Sequence, residues 1–85
     1  MEIITYKIND PVGLHARPAG LLVKESSKFN SEIMIESNGK CADAKKIFSV
    51  MNLGAKYGDE LKIHITGNDE ETAAKNITEF LKENL

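Results

Sequence analysis

Apolar residues recur at every second position in some stretches of the chain and at every third or fourth in others, and these switches mark out its elements. Residues 3–8 alternate, with Ile4, Tyr6 and Ile8 on one face, and predict a strand. Asp10-Pro11-Val12-Gly13 turns the strand into a loop. A helix is predicted from about Ala16, because Pro18 suits a first turn, where a missing N–H is of no consequence. Its inward stripe is Ala19, Leu22, Val23 and Ser26, and its end falls near Lys28. Glu32–Ser37 alternates again, with Ile33 and Ile35 inward. Asn38-Gly39, both able to take positive φ, is a strong hairpin signal, and Lys40–Ala44 is the return strand. Ile47, Val50 and Met51 share one face of a short helix that Gly54 stops. Gly58-Asp59 leads into a strand with Leu61, Ile63 and Ile65 inward and Lys62 and His64 outward. Gly67-Asn68-Asp69 closes that strand and offers a capping side chain. The last helix, about Glu70 to Glu83, buries Ala73, Ala74, Ile77, Phe80 and Leu81.

The order β-α-β-β-α-β-α predicts an α+β domain of two layers, four strands with three helices on one face. A ferredoxin-like fold shares the first six elements, so order alone leaves the topology open. With 85 residues the chain reads as a single domain, 1–85, with a thin core. No apolar run approaches the roughly 20 residues that span a bilayer, and the N-terminus lacks the features of a secretion signal. Cys41 is the only cysteine and has no intrachain partner, which points to a reducing compartment, the cytoplasm. A net charge of -2 with mixed signs argues against broad nucleic-acid binding.

The candidate chemistry lies in Gly13-Leu14-His15-Ala16-Arg17-Pro18-Ala19. His15 stands immediately before a helix whose first backbone N–H groups lack internal partners and carry partial positive charge. Such a terminus receives phosphate readily. Arg17, the only arginine, adds a permanently charged fork suited to phosphate oxygens. Nucleophile and anion-binding groups thus meet within three residues: His15 as acceptor, with Ala16, Arg17 and Pro18 as the phosphate site. The same residues also fit a helix-capping histidine beside an exposed arginine. No carboxylate or Cys/His cluster suggests a metal, and no cofactor is called for.

This segment resembles the phosphorylation signature of the histidine-containing phosphocarrier (HPr) proteins of the sugar phosphotransferase system. A second block resembles that family's second signature: Asn38-Gly39-Lys40, Ala44-Lys45, Ile47-Phe48, Val50-Met51 and Leu53-Gly54. The resemblance spans the whole chain. It implies an open-faced β-sandwich with a four-stranded antiparallel sheet. It implies phosphorylation of His15 at Nδ1 by enzyme I, which draws on phosphoenolpyruvate, and onward transfer to the IIA domain of a sugar permease, with Arg17 assisting both steps. The protein would be a carrier with a covalent phosphohistidine rather than a turnover enzyme, and a monomer.

The same resemblance places residues 47, 48 and 51 at the partner surface. Leu21 and Phe48 lie off the inward stripes of their helices and are expected to face a partner, with Ile47 and Met51 divided between core and interface. Gly20 suits either a docking partner or close packing on the sheet. Arg17, Lys24, Lys45 and Lys46 cluster in these blocks, while Asp69, Glu70, Glu71, Glu79 and Glu83 gather towards the C-terminus, an asymmetry that fits an acidic partner.

Two positions depart from the family pattern. Where the Gram-positive branch carries a regulatory serine before the second helix, this chain has Lys46, which cannot accept phosphate. Val12 stands where a small polar residue is common. A regulatory binding module that reports phosphorylation state is the competing function. Regulatory relatives tend to lose the histidine and keep the serine, whereas this chain does the reverse. His64 and Cys41 are read as surface residues.

Overall fold

Strand alternation builds the sheet. In the computed structural model, which describes residues 1–85, the elements are β1 (Glu2–Lys7), α1 (Ala16–Ser26), β2 (Glu32–Ser37), β3 (Lys40–Asp43), α2 (Ile47–Met51), β4 (Glu60–Thr66) and α3 (Glu70–Asn84). All strand pairs are antiparallel, in the order β1-β4-β2-β3. Interior strand β4 has Leu61, Ile63 and Ile65 fully buried. Ile63 lies opposite Ile4 of β1 and Ile35 of β2, so a row of apolar side chains crosses three strands. Full burial of each such side chain is worth about 1.5–3 kcal/mol relative to exposure. The three helices cover this face, giving an open-faced β-sandwich. The strand order settles what the element order left open: β1 is an edge strand paired with β4 alone, unlike the ferredoxin-like arrangement.

The hairpin between β2 and β3 turns at Asn38 and Gly39, with φ of 54° and 75°. Both angles are those of the mirror-image turn whose twist matches the flanking strands. In α1, Ala19, Leu22 and Ser26 are buried and Val23 half-buried; the helix ends at Ser26, two residues before the expected Lys28. In the short α2 the three residues expected on one face divide between core and surface. Val50 alone is fully buried there, Ile47 is half-buried and Met51 is exposed. Five residues make little more than one turn, and the core position beyond it is filled by Leu53 instead.

Asp69 precedes α3 but its carboxylate does not cap that helix. It accepts the N–H groups of Asn30 and Ser31 at 2.8 and 3.0 Å and the Ser31 hydroxyl, tying the α1–β2 loop to the start of α3. The Ser31 hydroxyl, then the Asn30 N–H, hold the Asp69 carboxyl below the ordinary carboxylate range. A lowered folded-state value means that the tie stabilises above the unfolded carboxyl's pKa and is lost as pH falls through the folded one. Glu70 meanwhile reaches back to the Gly67 N–H at 3.1 Å.

Candidate functional site

The loop between β1 and α1 is fixed before it reaches His15. The Asp10 carboxylate accepts the N–H groups of Val12 and Gly13, each at 3.0 Å, in the self-bonded turn that aspartate favours. Gly13 has φ of 82° and lies against the 55–56 backbone; a Cβ there would stand 2.8 Å from the Ala55 carbonyl oxygen. Only glycine fits. Leu14 is buried and its N–H donates to Ala55 at 3.0 Å. His15 is thereby held at the head of α1.

His15 occupies the cap position in extended backbone conformation, and its ring makes no cap hydrogen bond. The first intrahelical bond runs from the Ala19 N–H to the His15 carbonyl. Of the groups ahead of it, Pro18 has no N–H, while the Ala16 and Arg17 N–H groups have no acceptor. Two unspent donors stand at the positive end of an eleven-residue helix, an arrangement able to receive an anion. Arg17 is exposed and makes no ion pair, so its guanidinium is free for the same anion. Pro18, grouped with the phosphate ligands on sequence, is buried and donates nothing; its contribution is the helix start. The His15 side chain is 42% exposed.

Two neighbours of His15 escaped the sequence reading. Asp10 Oδ2 lies 4.0 Å from His15 Nε2. Glu83, at the far end of α3, lines the same shallow depression as Asp10, His15, Arg17, Pro18, Leu21 and Asn84. Asp10 had a local signal in its Asp-Pro-x-Gly turn, whereas nothing local links Glu83 to a residue so distant in sequence. The expected separation of acidic and basic regions is therefore incomplete. Asp69 is also engaged with Ser31, and Glu70 with the Met1 amino group. Lys45 leaves the basic cluster too, since its Nζ donates to the Phe29 carbonyl at 2.7 Å. Lys24 and Lys46 remain exposed and without ion pairs.

Around the site, Phe48 is 77% exposed, Leu21 39% and Met51 37%, while Ile47 packs against the core. Gly20 faces α2 rather than the sheet: a Cβ added there would meet Ile47 Cδ1 at 3.9 Å, an ordinary contact. His64 lies elsewhere, on β4, and the neighbouring strand brings Glu36 within 3.6 Å of it, an acid not evident from its own sequence surroundings. A separate hollow is lined by Lys7, Ile8, Asn9, Tyr57 and Gly58 and contains no histidine, arginine or carboxylate. No group of three or more His, Cys, Asp or Glu side chains is placed to hold a metal. No helix is long and apolar enough to cross a membrane.

Comparison with known proteins gives the family. Residues 4–83 match the family model described as the PTS HPr component phosphorylation site. The phosphocarrier protein HPr of Buchnera aphidicola subsp. Baizongia pistaciae is 49% identical over 75 residues, covering 88% of each chain. The structure of the histidine-containing phosphocarrier protein of Mycoplasma superposes with a TM-score of 0.93 at 41% identity, over 96% of this chain and 93% of that one. An HPr dimer from Thermoanaerobacter tengcongensis gives 0.77 at 40% identity, over 98% and 95%. The chain belongs to the HPr family, the phosphocarrier proteins of the phosphotransferase system.

Proposed function

We propose that His15 takes a phosphoryl group from enzyme I and passes it to the IIA domain of a sugar permease in the cytoplasm. The observation that carries this reading is an exposed histidine beside two unbonded helix N–H groups and an arginine with no ionic partner. The Nδ1 lone pair attacks phosphorus as the donor's bond to phosphorus breaks. On the outward step the Nδ1–P bond breaks towards the acceptor's nucleophile, and its electron pair returns to the ring. Charge on the phosphoryl oxygens is met by Arg17 and the Ala16 and Arg17 N–H groups, fixed donors that need no reorganisation.

Gly20, Leu21, Lys24, Ile47, Phe48 and Met51 form the docking surface in this reading, with the exposed Phe48 as its main anchor. The acting form is the monomer; sedimentation tests this directly, since a 40%-identical relative has been crystallised as a dimer. Lys46 removes the hydroxyl that a regulatory serine would supply, and the retained His15 favours carriage over a purely regulatory role.

Incubation with enzyme I and phosphoenolpyruvate, followed by intact-mass measurement, is the test. One phosphoryl group is expected, acid-labile and alkali-stable as a phosphoramidate is. His15→Ala abolishes it and His64→Ala leaves it. Label persisting in His15→Ala would overturn the assignment.

A further inference from the structure

We propose that Asp10 is a positioning residue for His15: its carboxylate receives the Nε2–H, leaving the lone pair on Nδ1, and offsets the ring's charge while the phosphoryl group is carried. The inference rests on the reading of His15 as phosphoryl acceptor. A neutral imidazole has one N–H and one lone pair, and the partner of one nitrogen decides which nitrogen is nucleophilic. Here the nitrogen on the carboxylate's side is Nε2, 4.0 Å from Asp10 Oδ2. That separation exceeds a hydrogen bond, but such contacts are commonly long in free proteins and tighten when the reacting partner arrives.

The carboxylate is held in place independently of the ring. It accepts the Val12 and Gly13 N–H groups, while the Asp10 N–H donates to the backbone oxygen of Leu85 at 2.7 Å and its own carbonyl accepts the Gly13 N–H at 3.0 Å. The His15 N–H in turn donates to Gly13 at 3.0 Å, so carboxylate and imidazole share one short turn.

The chemistry needs such a group. When Nδ1 bonds phosphorus, the proton stays on Nε2 and the ring becomes an imidazolium. When the Nδ1–P bond breaks towards the acceptor, the electron pair returns and the ring is neutral again, its proton still on Nε2. No proton has to move in either direction. The charge that the ring gains develops beside two positive features, Arg17 and the helix terminus. Of the carboxylates that line the depression, Asp10 and Glu83, only Asp10 lies within 4.0 Å of the ring nitrogen.

Imidazole ¹⁵N spectra of the unphosphorylated protein, taken where the ring is neutral, test the positioning without any phosphoryl donor. The unaltered protein is expected in the Nε2–H form. Asp10→Asn, which can keep the turn to Val12 and Gly13, should reveal a Nδ1–H fraction, and Asp10→Ser, whose hydroxyl falls short of the ring, a larger one. Unmoved Val12 and Gly13 amide signals in Asp10→Asn show that the loop is intact. Phosphorylation by enzyme I and phosphoenolpyruvate should slow roughly fivefold in Asp10→Asn, about 1 kcal/mol of barrier. An unchanged tautomer ratio in both variants overturns the proposal, as does an equal change in Glu83→Gln, or a changed ratio with an unchanged transfer rate. If the unaltered protein takes no phosphoryl group while the ratio still shifts, Asp10 does orient the ring and the functional reading of His15 is what fails.

Discussion

At the start of α1 the cap position is held by His15, and at the start of α2 by Lys46; neither side chain caps its helix. Both helices lack an acidic residue in the first turn. A serine, threonine, aspartate or asparagine at either position would ordinarily add about 1 kcal/mol. The two omissions differ in consequence. The free N–H groups of α1 face an exposed histidine and an unpaired arginine, where an anion can use them. Those of α2 stand behind a lysine, on a helix of five residues with one fully buried side chain. In the proposed reading the uncapped terminus is a site at α1 because the loop before it is rigidly held and supplies a nucleophile. At α2 it is only a weak helix end.

The strongest way to break the comparison is to dislodge α1 from its anchor. Gly13→Ala forces a side chain into positive φ and places its Cβ 2.8 Å from both the Ala55 carbonyl oxygen and the Lys56 Cα. Backbone atoms cannot turn aside as a flexible side chain would. A loss of about 2–3 kcal/mol is expected from denaturant unfolding, with phosphorylation impaired even where the protein remains folded. Gly39→Ala is the control, since it also changes a positive-φ glycine but meets nothing within 4 Å. Equal losses in the two variants would mean that φ alone, not the contact with residues 55–56, places the loop.

Arg17→Lys sharpens the comparison from the other side. It keeps the charge at the α1 terminus but replaces a planar fork with a point charge. Transfer in both directions is expected to slow about tenfold, or about 1.4 kcal/mol of barrier, with unfolding unchanged because Arg17 makes no ion pair. Near-normal rates would reduce Arg17 to general electrostatics.

Much of this was legible in the sequence because its signals are local. Alternation around Ile33, Ile35, Leu61, Ile63 and Ile65 gave the strands, and Asn38-Gly39 gave the hairpin. The run from Gly13 to Ala19 marked the candidate site. What escaped depends on contacts between distant residues. Asp69 has the chemistry of a helix cap, yet Ser31 draws its carboxylate away across 38 positions. Lys45 reads as a surface charge until the fold brings it to the Phe29 carbonyl. Glu83 belongs by sequence to an acidic helix end and by structure to the depression beside His15. How Ile47 and Met51 divide between core and surface needed the structure for a different reason: one helical turn is too short for periodicity alone to say which way its last residue points.

The smallest expected effect concerns the second helix start. Lys46 has φ of -122° and ψ of 111°, the extended conformation of a cap residue, so a serine fits there without moving the backbone. The N–H groups of Ile47, Phe48 and Ser49 have no acceptor, and Val50 makes the first bond to the Lys46 carbonyl. Asp43 does not serve them, because its carboxylate accepts the Lys45 N–H at 2.9 Å, ahead of the helix. Lys46→Ser should therefore supply a missing cap and remove a cation from the positive end of α2. Together these are worth on the order of 1 kcal/mol, measured by thermal or denaturant unfolding. The same change should create an acceptor for the serine kinase that acts on Gram-positive members of the family, to which the unaltered protein is expected to be blind. Phosphorylation of the unaltered chain by that kinase, at Ser49 or elsewhere, would contradict this. A stabilised variant that the kinase ignores would show that the α2 terminus gains its cap without becoming a regulatory site, and that recognition needs more of the surface around Phe48 than one hydroxyl.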